Sequence, residues 1–345
     1  MTSLQKLLKN AVLLSLSVCL FVTSGCTLPF LRQEKPPIVS DFPPESILIG
    51  NEIRTQTRIL LESAQNIIYI EQMTISDSEL LSQIIAKAHA GVEVRILLDQ
   101  WQRENSKTVD LLKNENVSVQ YYPTARGQFH RAKFMIIDHK IAVFYSAPWT
   151  TAGFNSAAVA FKITGSTVQS AAELFGRDWS DTTTLTLTIP KGDSLWQDNI
   201  TLARTNIKNQ ILTRIKSASA DIWIETQQLS GDVDDQDIIN ALVAARQRGC
   251  RVRLILDPAC AQATPMTIQI FADAGIEYRY YKGPNGETLG RNFGIFDGTS
   301  FIHCSSAWTH YTIFINHECS LTIPSPQATQ KMMEIFQADW DFSAP

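Results

Sequence analysis

The chain has 345 residues, 44% of them hydrophobic and 19% charged, with a formal net charge of −4. That length and apolar content support a sizeable packed core and exclude a disordered tail or a small disulfide-stapled scaffold. The acidic balance argues against indiscriminate nucleic-acid binding, which depends on clustered Lys and Arg, and makes nucleic acid the less favoured partner.

Lys6 and Lys9 precede an apolar run from Ala11 to Thr23 that ends in the small residues Ser24 and Gly25. This reads as a secretion signal over residues 1–25. As a helix the run rises about 20 Å, short of the roughly 30 Å bilayer core, so an uncleaved spanning anchor is the weaker reading. The string "VTSGC" resembles a bacterial lipoprotein signal, in which Cys26 is acylated after the cut; Thr23 departs from it, since an aliphatic residue is usual there. The expectation is a periplasm-facing envelope lipoprotein anchored through Cys26, with plain secretion as the alternative. Removing Lys6 and Lys9 leaves 28 basic residues against 34 acidic ones, a mature charge of −6. Residues 26–46 carry the lipidated N-terminus and a Pro-rich polar stretch suited to a tether.

From residue 47 the pattern changes to regular structure. "NIIYIEQ" (66–72) is a short β-branched strand, and "DSELLSQIIAKAHAG" (77–91) has a capping residue, helical apolar spacing and a terminal Gly. "VEVRILLD" (92–99) reads as a buried parallel strand, "SKTVDLLKNEN" as a helix, and "VSVQYYP" as the next strand. Such a βαβαβ order implies a mainly parallel sheet flanked by helices. Residues 181–205 form an interlobe connection whose Thr/Leu alternation reads as an edge strand.

Everything then repeats. "AGVEVRILLD" (90–99) returns as "RGCRVRLILD" (248–257), "SAQNIIYIEQ" (63–72) as "SASADIWIETQ" (217–227), and "ELFGRDW" (173–179) as "EIFQADW" (334–340). The architecture is therefore α/β in two repeated lobes, 47–180 and 206–345, expected to act as a two-lobed monomer. The four cysteines beyond the signal region, Cys250, Cys260, Cys304 and Cys319, lack paired metal-ligand spacing, so neither a metal nor another cofactor is expected. They read as buried small hydrophobes, with one or two disulfides as the alternative.

The stretch "QFHRAKFMIIDHKIAVFYSAPWT" (128–150) places Lys133 before a four-residue apolar run to Asp138, with Ser146 eight residues beyond that Asp. With the repeat, these residues resemble the phospholipase D superfamily, in which each lobe supplies an H-x-K-x4-D-x6-G-S-x-N motif and the two meet at the seam. The resemblance implies one His as nucleophile, the other as acid, and lysines holding a phosphate. In the first lobe Lys133, Asp138 and Ser146 match, while Arg131, Tyr145 and Pro148 stand for His, Gly and Asn. In the second, Asp297 and Ser305 match, while Gly290, Asn292, Cys304 and Ala307 stand for His, Lys, Gly and Asn. The Asn-x-Glu that often follows appears as Asn316 and Glu318, but as Asn155 and Ala157 in the first lobe.

His130 is out of register by one residue and on a regular strand faces away from Lys133, unless a bulge intervenes. His303, His310 and His317 are the second-lobe candidates for an acid. The catalytic candidates are thus His130, Lys133, Asp138 and Asp297, and the phosphate-binding ones Arg131, Lys133, Ser146 and Ser305. Arg131 either grips phosphate or pairs inward with Asp138 or Glu318. Trp149 and Trp308 read first as core, and Asp99 and Asp257 as strand-end ligand groups or helix caps. Three readings stand: a degenerate phosphodiesterase that binds a phosphodiester, above all a phospholipid; an active phospholipase D using His130; and a structural or partner-binding lipoprotein.

Overall fold

The computed structural model describes residues 39–183, 187–189, 197–229 and 236–344. The signal, Cys26 and the tether up to residue 38 lie outside the described residues, and the interlobe connection is described only in part.

The first lobe runs β1 (Ile47–Ile49), α1 (Asn51–Ser63), β2 (Ile67–Gln72), α2 (Ser78–His89), β3 (Glu93–Asp99), α3 (Asn105–Asn114), β4 (Ser118–Tyr122), β5 (Phe134–Ile137), β6 (Ile141–Tyr145), β7 (Val159–Ile163) and α4 (Ser166–Thr182). The second runs β8 (Thr201–Ala203), α5 (Ile207–Ser217), β9 (Asp221–Thr226), α6 (Asp237–Gln247), β10 (Arg251–Leu256), α7 (Pro265–Asp273), β11 (Glu277–Tyr280), β12 (Phe293–Phe296), β13 (Ser300–Cys304), β14 (Ser320–Ile323) and α8 (Pro326–Phe342). Strand order is β1-β7-β6-β5-β2-β3-β4 in one sheet and β8-β14-β13-β12-β9-β10-β11 in the other, the same order twice.

Each sheet is mixed rather than mainly parallel. β2, β3 and β4 pair in parallel, whereas β5, β6, β7 and β1 join antiparallel. A parallel return needs a crossover of a dozen or more residues, and the turn after β5 is too short for one. In that turn Asp138 and His139 both have positive φ, 51° and 52°, and Lys140 N–H donates to Ile137 at 2.9 Å. This is the type I′ geometry that matches strand twist. Asp297 and Gly298 repeat it in the second lobe, at 50° and 63°.

Three apolar layers result. One lies between the first sheet and α1–α3 and includes Leu61, Ile70, Ile84 and Trp149. A second holds the corresponding second-lobe residues, including Ile211, Leu242 and Trp308. The third spans both lobes, joining Phe144 and Phe161 to Phe293 and Phe301, with Trp179 and Trp340 from α4 and α8. Phe161 and Phe301 approach to 5.5 Å between ring centroids, so the inner sheet faces share one core. No helix among the described residues is long and apolar enough to cross a membrane.

The carboxylate of each motif Asp closes the same corner. Asp138 accepts from the N–H groups of Gln65, Asn66 and Ile67 at 3.0, 2.7 and 2.9 Å. Asp297 accepts from Ser219, Ala220 and Asp221 at 2.9, 2.8 and 3.0 Å. Partial burial pushes both carboxyls up, but the amide bonds outweigh it and hold them below the usual value. Either Asp→Ala change should cost about 1–3 kcal/mol in urea unfolding, as amides lose a charged partner. That contribution is complete above the unfolded pKa of about 4 and fades as pH falls through the lower folded one.

Candidate functional site at the seam between lobes

The lobes are stitched by backbone. His317 N–H donates to Phe129 at 2.8 Å, and the N–H groups of Arg131 and Ala132 donate to the His317 carbonyl at 2.7 and 3.0 Å. The repeat makes the converse stitch: Ala157 N–H donates to Thr288 at 2.9 Å, and Gly290 N–H to Ala157 at 3.2 Å. Extended backbone sends alternate side chains to opposite sides. Arg131 and Lys133 therefore line one side of the seam, and His130 belongs to the other.

On the Arg131 side is a cavity of about 240 Å³ lined by both lobes, including Arg131, Lys133, Ser146, Gly290, Ser305 and Ser306. Lys133 is 4% exposed and donates to the carbonyls of Arg131, at 3.0 Å, and Ser305. Burial pushes its pKa down to about 8, against the pull of Glu318. The Arg131 guanidinium packs over Phe129, its Nε has no hydrogen-bond partner, and among the described residues no carboxylate pairs with it. The inward pairing with Asp138 or Glu318 is not formed.

Ser146 and Ser305 are fixed alike. Ser146 Oγ accepts from Val159 N–H at 2.9 Å, and Ser305 Oγ from Cys319 N–H at 3.0 Å. Ser305 also donates to Glu318, which Asn316 contacts at 3.3 Å. Burial raises the Glu318 pKa and Lys133 lowers it. Ala157 stands at the corresponding place in the first lobe, so only one half of the site has this carboxyl.

Behind the stitch lies a second cluster. His130 is 0% exposed, and its ring packs against both Tyr122, at 4.9 Å, and His317, at 4.8 Å, which lie 4.1 Å from each other. Glu71 Oε2 is 3.6 Å from His130 Nε2 and 3.8 Å from His317 Nε2. His317 Nε2 is also 2.8 Å from Asp178, while Arg204 donates to His317 Nδ1, to Tyr122 and to Asp178. Burial above all pushes His130 well below, and His317 below, the usual imidazole value; burial and then Asp178 push Glu71 well above its own. Two neutral histidines from different lobes thus meet, but neither lines the cavity that holds Lys133.

The other sequence candidates lie elsewhere. Asp138 and Asp297 bind backbone amides at the turns and line no part of the cavity. Asp99 accepts from Trp101 N–H at 2.6 Å and, 31 residues away in sequence, from His130 N–H at 2.9 Å, while Asp257 accepts from Ala259 N–H at 2.9 Å in a local turn. Trp149 and Trp308 are fully buried in the outer cores. His303 sits in the shared core against Phe161, its pKa pushed down to about 3 mainly by burial, and His310 packs on Phe314. Cys250, Cys260, Cys304 and Cys319 are buried free thiols, so the disulfide alternative is not realised.

Sequence reasoning passed over Glu71, Asp178 and Arg204. A signal was present: "IYIEQ" and "IWIETQ" place an acid at the same point of an otherwise apolar strand, and "FGRDW" and "FQADW" one at the same point of a helix. In the second lobe that pair is Glu225 and Asp339, joined by Arg291 at 3.1 and 2.7 Å.

The fold and seam define a duplicated α/β protein with its candidate site between the copies. The family model described as cardiolipin synthase, PLD-like domain, matches residues 58–179 and 211–340, and the chain belongs to this phospholipase D-like family. A mitochondrial cardiolipin hydrolase of Chlamydomonas reinhardtii is 27% identical over 109 residues, 32% of this chain; the match spans about half, 48%, of that relative. Among solved structures, phosphatidylserine synthase of Haemophilus influenzae superposes with a TM-score of 0.66 at 11% identity, over 89% of this chain and 88% of that one. Polyphosphate kinase of Porphyromonas gingivalis gives 0.64 at 14% identity, over 89% of this chain and 50% of that one. At such identities the two structures show the shared fold.

Gly290 occupies the place of the second motif His with no room for a side chain. A Cβ there would lie 2.4 Å from Ser156 Oγ and 3.1 Å from its Cβ. Gly290→Ala should cost about 1–3 kcal/mol through overpacking. Adding Ser156→Gly should recover most of that loss, a coupling readable in a double-mutant unfolding cycle.

Proposed function

We propose that this is an envelope-anchored phospholipase D-like protein that grips the phosphoryl group of a phosphodiester, a phospholipid headgroup, without turning it over. The observation that carries this reading is the placement of Arg131 and Lys133 on the seam cavity, with both nearby histidines behind the backbone stitch. A guanidinium binds two phosphate oxygens at once, and the buried ammonium adds a point charge. Hydroxyls of Ser146, Ser305 and Ser306 surround the same space.

Hydrolysis asks for more. Enzymes typically lower such barriers by about 8–23 kcal/mol, and in a catalytic triad losing the nucleophile alone removes about 10⁶ of turnover. No imidazole is among the residues lining this cavity, and His130 is fully buried outside it, which weighs against its use as nucleophile. The names of the cardiolipin hydrolase and phosphatidylserine synthase relatives favour a phospholipid. Acylation of Cys26 would hold the cavity at the bacterial envelope, facing the periplasm, as a two-lobed monomer.

Calorimetry of the full chain in detergent with bis(p-nitrophenyl) phosphate should show saturable binding without p-nitrophenol release. Arg131→Ala and Lys133→Ala should each weaken it about tenfold or more, since a hydrogen bond to a charged group is worth about 1.5–3 kcal/mol. Because the Lys133 pKa is pushed down to about 8, its cation is lost and affinity falls as pH rises through that value. Nitrophenol release abolished by both His130→Ala and Lys133→Ala would overturn the reading; vesicles of phosphatidylcholine with and without cardiolipin then compare headgroups. Mass spectrometry of the mature chain should find an acylated Cys26, with the lipid absent after Cys26→Ser.

A further inference from the structure

Comparing the lobes exposes a missing positive charge. In the second lobe the buried pair Glu225 and Asp339 shares the Arg291 guanidinium, at 3.1 and 2.7 Å. At an offset of 159 the first lobe has Ala132 in place of Arg291, although its own pair, Glu71 and Asp178, is equally buried. Arg204 pairs with Asp178. Among the described residues no Lys or Arg pairs with Glu71, whose carboxylate oxygens have no hydrogen-bond partner; nor have the ring nitrogens of His130 beside it.

From this geometry we propose that Glu71, His130 and His317 form a structural site for a divalent metal of the zinc class. One ligating atom from each lies within 4.8 Å of the other two, and all three residues are buried. Zinc takes imidazole nitrogen and carboxylate oxygen at about 2.0–2.2 Å, which places neighbouring ligand atoms a little over 3 Å apart. The observed 3.6 and 3.8 Å to Glu71 need a small contraction, and the two imidazoles, whose ligand atoms lie within 4.8 Å of each other, close in by ring rotation. Glu71 and His130 belong to the first lobe and His317 to the second, so the ion would pin the seam from behind while the cavity in front stays free. The enclosure fits a structural ion, which takes four ligands, rather than a catalytic one, which keeps a position open to substrate; Asp178 Oδ2, 2.8 Å from His317 Nε2, is within reach to supply the fourth.

Proton balance is explicit. Arg204 only donates, so His317 Nδ1 accepts and Nε2 carries a proton facing Asp178 at 2.8 Å. Coordination by Nε2 releases that proton, and coordination by Glu71 releases a second if its carboxyl is protonated. Asp178 keeps Arg204 through Oδ1, while its Oδ2, which faces the same nitrogen, must swing off that axis to admit the ion. Spacing rules missed the site because its ligands are 59 and 187 residues apart in sequence.

The test loads metal-stripped full chain with Co²⁺ and Zn²⁺. One Co²⁺ per chain is expected, with visible d–d absorption, no thiolate charge-transfer band and a raised Tm; Zn²⁺ should displace it. Glu71→Gln, His130→Gln and His317→Gln should each lower affinity at least tenfold, while His310→Gln leaves it unchanged. A thiolate band, no stoichiometric binding, or binding indifferent to the three substitutions would overturn the proposal. If the variants do not fold, the stoichiometry and spectrum of the unmodified chain decide it alone.

Discussion

The arrangement at the seam depends on one small piece of backbone pairing, the exchange of hydrogen bonds between Phe129–Ala132 and His317. It forces the segment before β5 to be extended, and an extended chain sorts neighbouring side chains to opposite sides. Arg131 and Lys133 go to the cavity, His130 goes behind. A shift of one residue would exchange these sets, turning a cation-lined pocket into one that presents an imidazole. The out-of-register histidine is thus a statement about pairing across lobes as much as about the motif.

Much of the fold was legible because it is written twice. The repeated apolar strands and the matched "DW" pair establish two equivalent α/β units, and strand order bears this out down to the edge strands β1 and β8. The balance of parallel and antiparallel pairing was less visible, because it turns on left-handed conformations at Asp138 and His139, whose residue types permit but do not announce a tight hairpin. The site was half legible. Residues in the motif could be placed on alternate faces from spacing alone. Glu71, Asp178 and Arg204 come from three distant segments, and only tertiary packing brings them to His317.

The two lobes solve one electrostatic problem differently. Each buries a strand Glu near a helix Asp, an arrangement that is costly unless a cation or a proton intervenes. The second lobe is self-sufficient through Arg291, while the first borrows Arg204 and His317 from its neighbour. That dependence makes the lobes unequal: the first relies on the seam for charge compensation, and the shared aromatic core holds the seam closed. Apolar packing and charge compensation therefore act on the same interface.

The contact between Gly290 and Ser156 has a consequence for descent as well as packing. A histidine placed at 290 would meet Ser156 and the Ala157 carbonyl, 3.2 Å from where its Cβ must sit. A route to histidine there passes through a less stable intermediate unless position 156 changes first. Glycine and serine hold each other in place like a ratchet and its pawl, and position 290 stays without a side chain for as long as Ser156 is kept.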